Sequence, residues 1–509
     1  MAKLTVAELK ERIANNDKSI NEESAYEAAL ELYHIDANTV ACAILGKLAK
    51  KQDHKKELTA ALTIDELKRN LASPIPGIRK TTAVLMGNIG ASEYSRPIIE
   101  ALKREEYRYV RPSMLLALGA IGDTAAVAFV QSYRVEEPKD ETEVKHAEAE
   151  KEAVRLVLGR TVHGVHAHFS GLSKPHSVEL RCANMLGGQL AEELSDIGIE
   201  PIREFSNGVL VETNDMQSLF EARCFSDALF PIRRDVSLNA AAIGGSAKKF
   251  LFELMDSSTD ARPPYRYRID MPNTVTNKAA LASEIASVLD SPELLNSPSF
   301  YDIELKIEII GAPDRCALYA KLCCVKDNRF NYRKEMLPAS IAPSTAAAVL
   351  RLASDELHSR ARVLDPFCGT GTMLIERSKL SPCGALTGVD ITPKAIDKAK
   401  VNAAAADVDI ELICKDCIKF RTSEPYDEVI ANMPFGLRVG SHEINDRLYA
   451  QFLKKLPEWL KPGGIALLYT MEYTLLKRLI AEQNEMELLS RKRTEAGGLL
   501  PTVFLLRRK

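Results

Sequence analysis

The sequence predicts a multidomain chain: all-α repeats first, an α+β region in the middle, and an α/β, doubly wound domain at the C-terminal end. Three observations carry this. In the first third a helical pattern recurs with an offset of 32 residues. Strand-like and helix-like stretches then alternate between about residues 165 and 337. After them a short apolar strand runs into a glycine turn and a helix, Arg362-Val-Leu-Asp365-Pro-Phe367-Cys-Gly369-Thr370-Gly371-Thr, and later strands each end in a polar residue. At 509 residues the chain is too long for one hydrophobic core and divides into about three domains. The expected boundaries are 1–135 for the repeats, 136–164 for a charged linker or helix, 165–337 for the α+β region and 338–509 for the doubly wound domain.

Composition narrows the class. Hydrophobic content of 46% and charged content of 27% are those of an ordinary globular protein. No apolar run approaches the roughly 18–20 residues that span a bilayer, and the charged N-terminus lacks the apolar core of a signal peptide. The expectation is a cytoplasmic protein with no membrane partner. Ten cysteines are spread along the chain, among them Cys323-Cys324, and are expected to be reduced and buried. Cys414 and Cys417 form a CxxC without a second ligand pair nearby, so no metal is expected. A net charge of −3 shows no broad basic footprint, and the clusters Arg491-Lys492-Arg493 and Arg507-Arg508-Lys509 read as solvated faces. Any case for nucleic acid must therefore come from motifs.

The repeat pairs Ile78-Arg79, Ala83, Leu85, Met86, Gly87, Ile89 and Gly90 with Val110-Arg111, Leu115, Ala117, Leu118, Gly119, Ile121 and Gly122. The glycines end one helix, and 96–102 and 125–133 supply the second of each pair; 41–49 looks like a weaker copy. Such a period signals stacked helix pairs. These segments resemble HEAT-like repeats, which implies a scaffold whose concave face could hold RNA or a protein. The charge-dense stretch from Arg134 to Arg155 then reads as an exposed helix or linker.

In the α+β region, 176–181 and 208–212 read as strands, and 187–197 and 220–229 as helices. Gly244-Gly245 reads as a break, 280–289 as a helix, and 302–310 and 317–325 as strands. Gln189-Leu-Ala-Glu-Glu-Leu, Gly198-Ile-Glu, Asn207-Gly-Val-Leu-Val-Glu-Thr and Phe220-Glu-Ala-Arg resemble the small ferredoxin-like domain that precedes THUMP domains. The strand pair around 301–310 and 316–325 resembles the end of a THUMP domain, which implies a region that holds RNA.

The glycine turn after Asp365 lets backbone approach a cofactor without a Cβ in the way. Gly384-Ala-Leu-Thr-Gly-Val-Asp390 reads as the next strand, ending in an acid about 20 residues on, where nucleotide folds place the acceptor for ribose hydroxyls. A third strand from Ile410 closes near Asp416, placed to meet an adenine amino group, and a fourth from Asp427 runs into Asn432-Met433-Pro434-Phe435. Four strand ends thus bring polar groups to one edge of a parallel sheet.

Asn-Met-Pro-Phe resembles the [Asn/Asp/Ser]-Pro-Pro-[Tyr/Phe] tetrapeptide of methyltransferases acting on nucleobase amines. The resemblance implies S-adenosylmethionine as cofactor, held by Asp365, Phe367, Gly369, Thr370, Gly371, Asp390, Asp416 and Asn432. An exocyclic amine is a poor nucleophile because its lone pair is delocalised into the ring. If the Asn432 side-chain oxygen and the Met433 carbonyl accept its two N–H bonds, the nitrogen presents that lone pair to the methyl group. Pro434 shapes the turn and Phe435 offers a face for an extruded base. Met433 departs from the commoner proline, and little harm is expected at a position that supplies a carbonyl.

The longer stretch Asn432-Met-Pro-Phe-Gly-Leu-Arg-Val-Gly, with Leu448-Tyr449 and Phe452, with Pro338-Ala-Ser-Ile-Ala-Pro343, and with Gly497-Gly498-Leu499, closely resembles the tRNA guanine-N2 methyltransferases that modify position 6 of the acceptor stem. The likeness covers about residues 170–509 and is strongest over 338–509. It implies a seven-stranded sheet ending in an antiparallel hairpin (486–492 and 502–507), cofactor contacts near Ala339 and Ser340, and a nucleotide-facing Arg438. The helical repeats are not part of that family's plan, which leaves the exact substrate open. The rivals are a ribosomal-RNA guanine-N2 or DNA amino-methyltransferase and, from another class, a binding scaffold with a vestigial methyltransferase fold.

Overall fold

The fold is that of a computed structural model in which residues 4–15, 22–35, 39–138, 140–161, 166–435, 442–495 and 498–509 are described. The first part is helical: α1 (Val6–Ala14), α2 (Glu22–Ile35), α3 (Thr39–Leu48), α4 (Gln52–Ala61), α5 (Ile64–Leu71), α6 (Pro76–Ile89), α7 (Ser95–Arg104), α8 (Arg111–Ile121), α9 (Thr124–Ser132) and α10 (Glu141–Thr161). Capping boxes start α1 and α5, where Thr5 and Thr63 accept the N–H of Glu8 and Glu66 and receive their carboxylates in return. The repeat shows in the helix ends. Gly90 and Gly122 close α6 and α8 in the left-handed conformation, at φ +71° and +66°. The inner glycines serve close packing: a Cβ on Gly87 would stand 2.7 Å from the Ala117 Cα, and one on Gly119 would stand 2.5 Å from Val157.

Of the two readings of the charged stretch after α9, helix or linker, the helix holds, but it is not exposed throughout. It is α10, packed on α8 and α9 through Ala147, Ala153 and Val157. The buried Arg108 guanidinium donates to Glu150 at 3.0 Å and Glu143 at 3.1 Å, so part of the charge is turned inward and neutralised.

Next come β1 (His176–Arg181), α11 (Gly187–Asp196), β2 (Arg203–Phe205), β3 (Gly208–Thr213), α12 (Met216–Leu219), β4 (Asp227–Ser237), α13 (Ala240–Ser258), β5 (Tyr265–Asp270), α14 (Lys278–Leu289), β6 (Leu294–Asn296), β7 (Ile303–Ile309) and β8 (Arg315–Leu322). Two expectations fail here. The stretch 220–229 is not a helix: after α12 the N–H groups of Arg223 and Cys224 both donate to Glu193, and Asp227 to Leu229 pair with β1. Gly244-Gly245 is not a break but lies inside α13. A Cβ at Gly244 would stand 2.4 Å from Val288 on α14, so the glycine marks a helix contact rather than a turn.

The doubly wound part comprises α15 (Pro343–Arg351), β9 (Arg362–Asp365), α16 (Thr372–Leu380), β10 (Ala385–Asp390), α17 (Pro393–Ala406), β11 (Glu411–Cys414), β12 (Tyr426–Asn432), α18 (His442–Trp459), β13 (Leu460–Thr470), α19 (Tyr473–Ala481), β14 (Met486–Arg493) and β15 (Thr502–Arg508). Its seven strands run in the order β11-β10-β9-β12-β13-β15-β14. β9 to β13 are parallel, and β14 and β15 form the expected antiparallel hairpin. Core side chains from β12, β13, α18, α19 and β15, including Phe452, Trp459, Leu468 and Phe504, pack in one cluster. This is a class I methyltransferase topology.

Contacts divide the chain into two compact units that do not follow chain order. The first holds residues 1–167, 236–256 and 261–316; the second holds 168–235, 257–260 and 317–509. In the first, Arg155 of α10 donates to Asn296 of β6 at 3.1 Å, and β5 pairs in parallel with both β6 and β7. In the second, β1 pairs with β3 and β4, and α11 is tied to the C-terminal part through Lys492 to Gln189 (2.8 Å) and Arg351 to Asp196 (2.7 Å).

None of the ten cysteines is joined in a disulfide. Cys42, Cys224, Cys316, Cys368 and Cys417 are buried, but Cys323 is exposed and Cys324 half-buried, against expectation. β8 has ended at Leu322, so the pair lies beyond the sheet rather than within it. Among the described residues no group of His, Cys, Asp and Glu could hold a metal ion, and no helix is long and apolar enough to cross a membrane.

Candidate active site

The site is built at the carboxyl ends of β9, β10, β11 and β12. β9 is buried at Val363, Leu364 and Asp365, as a strand with helices on both faces must be. Asp365 is 1% exposed, and its carboxylate accepts the Phe367 N–H at 3.0 Å. Burial, and after it the charge of Asp390, push its pKa up to about 8, against the single hydrogen bond that opposes them. The turn that follows holds Gly369 at φ +52° and Gly371 at +81°, a conformation that a side chain rarely tolerates. Among the described residues, nothing but a carbonyl 4.0 Å away faces the missing Cβ of Gly369.

The Asp390 carboxylate accepts the Gly369 N–H at 3.1 Å and the Thr392 N–H at 2.8 Å, which locks the glycine turn against the end of β10. Asp416 lies two residues beyond β11, half-buried, its carboxylate accepting the Ile418 N–H at 2.9 Å. The Phe367 ring turns toward the core, 5.5 Å from Phe452, which leaves its backbone to the site.

The segment with Ala339 and Ser340 is drawn onto the same turn. Ser340 Oγ stands 3.1 Å from Thr370 Oγ1, and the Ala339 carbonyl accepts a long 3.4 Å bond from Asn432 Nδ2. Asn402, wholly buried on α17, clamps the two: its amide donates to the Glu335 and Thr370 carbonyls at 2.9 and 3.1 Å, and its oxygen accepts the Glu335 N–H at 2.9 Å. Sequence reading missed Asn402, because nothing local marks a mid-helix asparagine as a clamp.

Asn432 closes β12. With its Nδ2 committed to Ala339, its Oδ1 is buried and has no partner among the described residues. A buried oxygen left unpaired costs about 1–3 kcal/mol, and such atoms cluster where a ligand supplies the donor. Met433 is 1% exposed and donates its N–H to the Tyr469 carbonyl at 2.9 Å. Pro434 is fixed by Tyr449, whose hydroxyl donates to the Pro434 carbonyl at 2.7 Å and meets Thr470 Oγ1 at 2.7 Å. Tyr449 is the second residue whose role sequence left unread; its place in the family-like stretch was its only signal. Phe435 is half-buried, with its ring edge-on to Tyr469 at 5.9 Å. Arg438 lies outside the described residues, as does Gly497.

The structure thus brings Ala339, Ser340, Thr370, Gly369, Gly371, Asp365, Asp390, Asn432, Met433, Pro434 and Phe435 to one edge, with Asp416 beyond the neighbouring strand end. The chemistry of this set fits a nucleoside-bearing cofactor: carboxylates for hydroxyl and amino donors, bare backbone at the glycines, and one orphaned acceptor beside them.

Comparison with known proteins agrees. Residues 330–502 match the family described as RMKL-like, methyltransferase domain. The chain is 35% identical over 178 residues to the tRNA (guanine(6)-N2)-methyltransferase of Thermus thermophilus, covering 34% of this chain and 52% of that protein. It is 28% identical over 177 residues to the tRNA (guanine(10)-N2)-dimethyltransferase of Methanothermobacter thermautotrophicus, covering 33% and 52%. The chain therefore spans about half the length of these curated relatives. The crystal structure of TrmN from Thermus thermophilus matches the fold with a TM-score of 0.51 at 23% identity, over 65% of this chain and 99% of that one. The C-terminal part is an S-adenosylmethionine-dependent methyltransferase domain related to tRNA guanine-N2 methyltransferases.

Proposed function

We propose that this chain transfers a methyl group from S-adenosylmethionine to the exocyclic N2 amine of a guanine in tRNA. The observation that carries the reading is the Oδ1 of Asn432 at the end of β12, buried and without a partner among the described residues. The bound cofactor supplies an electrophilic methyl group on a sulfonium. Asp390 would hold its ribose hydroxyls and Asp416 its adenine amino group, while the backbone of Gly369 and Gly371 lets it approach. Ala339, Ser340, Thr370 and Asp365 line the same space.

An extruded guanine would lie against the Phe435 ring. Its amino group has two N–H donors, and the Asn432 Oδ1 and the Met433 carbonyl accept one each. These bonds draw the nitrogen out of conjugation and aim its lone pair, so catalysis is mostly positioning and electrostatics. The methylated amine, cationic once it has accepted the methyl group, would release its proton to water. No side chain need act as base. The THUMP-like residues 165–337 would hold the RNA, and the helical repeats would add contact with RNA or a protein.

The test is methyl transfer from labelled cofactor to bulk tRNA, with nucleosides identified by mass, comparing the native chain with Asn432→Ala. The expected product is N2-methylguanosine, with transfer reduced at least a hundredfold in the variant, about 2.7 kcal/mol or more, and with the cofactor still bound by calorimetry, more weakly than by the native chain. No transfer to tRNA despite cofactor binding would sink the tRNA reading and turn the search to ribosomal RNA and then DNA. Loss of cofactor binding in the native chain would favour the scaffold.

A further inference from the structure

Next to the tetrapeptide, at the end of β13, lies a cavity of about 640 Å³ lined by Met471, Tyr473, Arg491, Arg493, Leu499 and Leu500. It begins two residues past Tyr469, whose carbonyl holds Met433 and whose ring meets Phe435. Its chemistry is mixed in a particular way. Arg491 and Arg493 alternate onto one side of β14, both exposed, and neither has a carboxylate partner among the described residues. Lys492 between them points away, its ammonium donating to Gln189 Oε1 at 2.8 Å. Of the nearby acids, Asp446 accepts from Arg478 at 2.6 Å and Glu495 from Asn184 at 2.8 Å, while Glu472 lines the adjoining cavity with Asp446 and Arg478.

Arg491 is positioned rather than loose. Its guanidinium lies 5.6 Å above the Tyr473 ring, whose other neighbour is the buried Phe504 ring at 5.9 Å, near parallel at 28°. A guanidinium held over an aromatic ring keeps its donors free at the rim. Leu499 and Leu500, 37% and 42% exposed, add an apolar wall to the same space. Two unpaired guanidiniums beside an apolar wall match one kind of ligand well, a nucleotide with an anionic phosphate and a flat base and sugar.

We infer that this cavity holds the RNA nucleotide that flanks the methylated guanine, with Arg491 and Arg493 on its phosphate and Met471, Leu499 and Leu500 against its sugar and base. The inference rests on the RNA reading above. It separates the Arg491-Lys492-Arg493 cluster into two substrate-facing cations and one structural lysine, where the sequence shows three equal charges.

The experiment compares the native chain with Arg491→Ala/Arg493→Ala, Arg491→Lys/Arg493→Lys and Lys492→Ala, using bulk tRNA. Affinity is read by fluorescence anisotropy over a salt series, with kcat and KM from labelled methyl transfer. The alanine pair is expected to weaken tRNA binding about tenfold, and to flatten the dependence of log Kd on log salt by about one to two units. Its kcat at saturating tRNA and its calorimetric cofactor affinity stay native. The lysine pair is expected to restore the salt slope, and Lys492→Ala to leave it untouched. A native Kd and salt slope in the alanine pair, with the native chain methylating tRNA, overturns the cavity assignment alone. If the native chain moves no methyl group to tRNA, the functional reading falls first and takes this assignment with it.

Discussion

Met433 shows how one residue serves two structures. Its N–H completes the pairing between β12 and β13 through the Tyr469 carbonyl, and its side chain is 1% exposed within the C-terminal core. Proline, the commoner residue in such tetrapeptides, can make no such bond. Met433→Pro therefore removes a backbone hydrogen bond worth about 1 kcal/mol and apolar volume worth about 1–3 kcal/mol. Urea unfolding of the second unit should shift accordingly while cofactor affinity holds. Equal stability would mean that the Tyr469 carbonyl finds water and the methionine is incidental. The sequence reading weighed only the carbonyl of this position, because the bond appears only once the register of Asn432 opposite Tyr469 is known. Asn402 and Tyr449 were hidden for the same reason: a clamp acts across 32 residues in one case and 15 in the other. That Asn432, Asp365 and Asp390 end their strands was legible because the strand-end rule needs only local pattern.

At the scale of elements, α16 is anchored by two neighbouring charges that its sequence presents as ordinary polar residues. Arg377 is fully buried and donates to both oxygens of the equally buried Glu428 on β12, at 2.7 and 2.8 Å. It also donates to the His358 carbonyl at 2.8 Å and to Ser381 Oγ at 2.8 Å. Glu376, one residue earlier, turns the other way and accepts from Arg223 at 2.7 Å and from the Tyr332 hydroxyl at 2.5 Å. The helix that follows the glycine turn is thus pinned on two sides, which fixes where Gly369 and Gly371 stand. Arg377→Ala leaves the Glu428 carboxylate buried and unpaired, and should cost about 3–5 kcal/mol, whereas Arg377→Met with Glu428→Leu should cost far less. A double-mutant cycle in urea measures both, and near-additive losses would show that the pair does not act as a unit. Helices and strands with clean apolar patterns were readable, among them β1, β3, α14 and β9 to β12, while the β14–β15 hairpin came only from the resemblance and β13 was not read. The stretch 220–229 and Gly244 were not, because a short apolar run fits either period, and a glycine that marks a helix crossing looks like one that marks a turn.

The whole molecule departs from the sequence plan in how its parts are grouped. Reading along the chain places one domain after another, but residues 236–256 and 261–316 associate with the helical part, and 168–235 with the methyltransferase part. No local pattern carries that information, since it depends on which surfaces meet. Each unit has its own buried cluster, one running from Leu9 to Val157 and one from Leu364 to Leu506. Every residue proposed to touch the cofactor, from Ala339 to Asn432, belongs to the second unit. A ligand stabilises only the cooperative unit whose native state binds it, so heating should resolve two transitions rather than one. S-adenosylmethionine at about a hundredfold its Kd should stabilise one of them by about 2.7 kcal/mol and leave the other where it was. Differential scanning calorimetry with and without cofactor reads this directly. A single transition moving as a whole would mean that the two clusters unfold together, and that the helical part is coupled to cofactor binding although it contributes none of the proposed contacts.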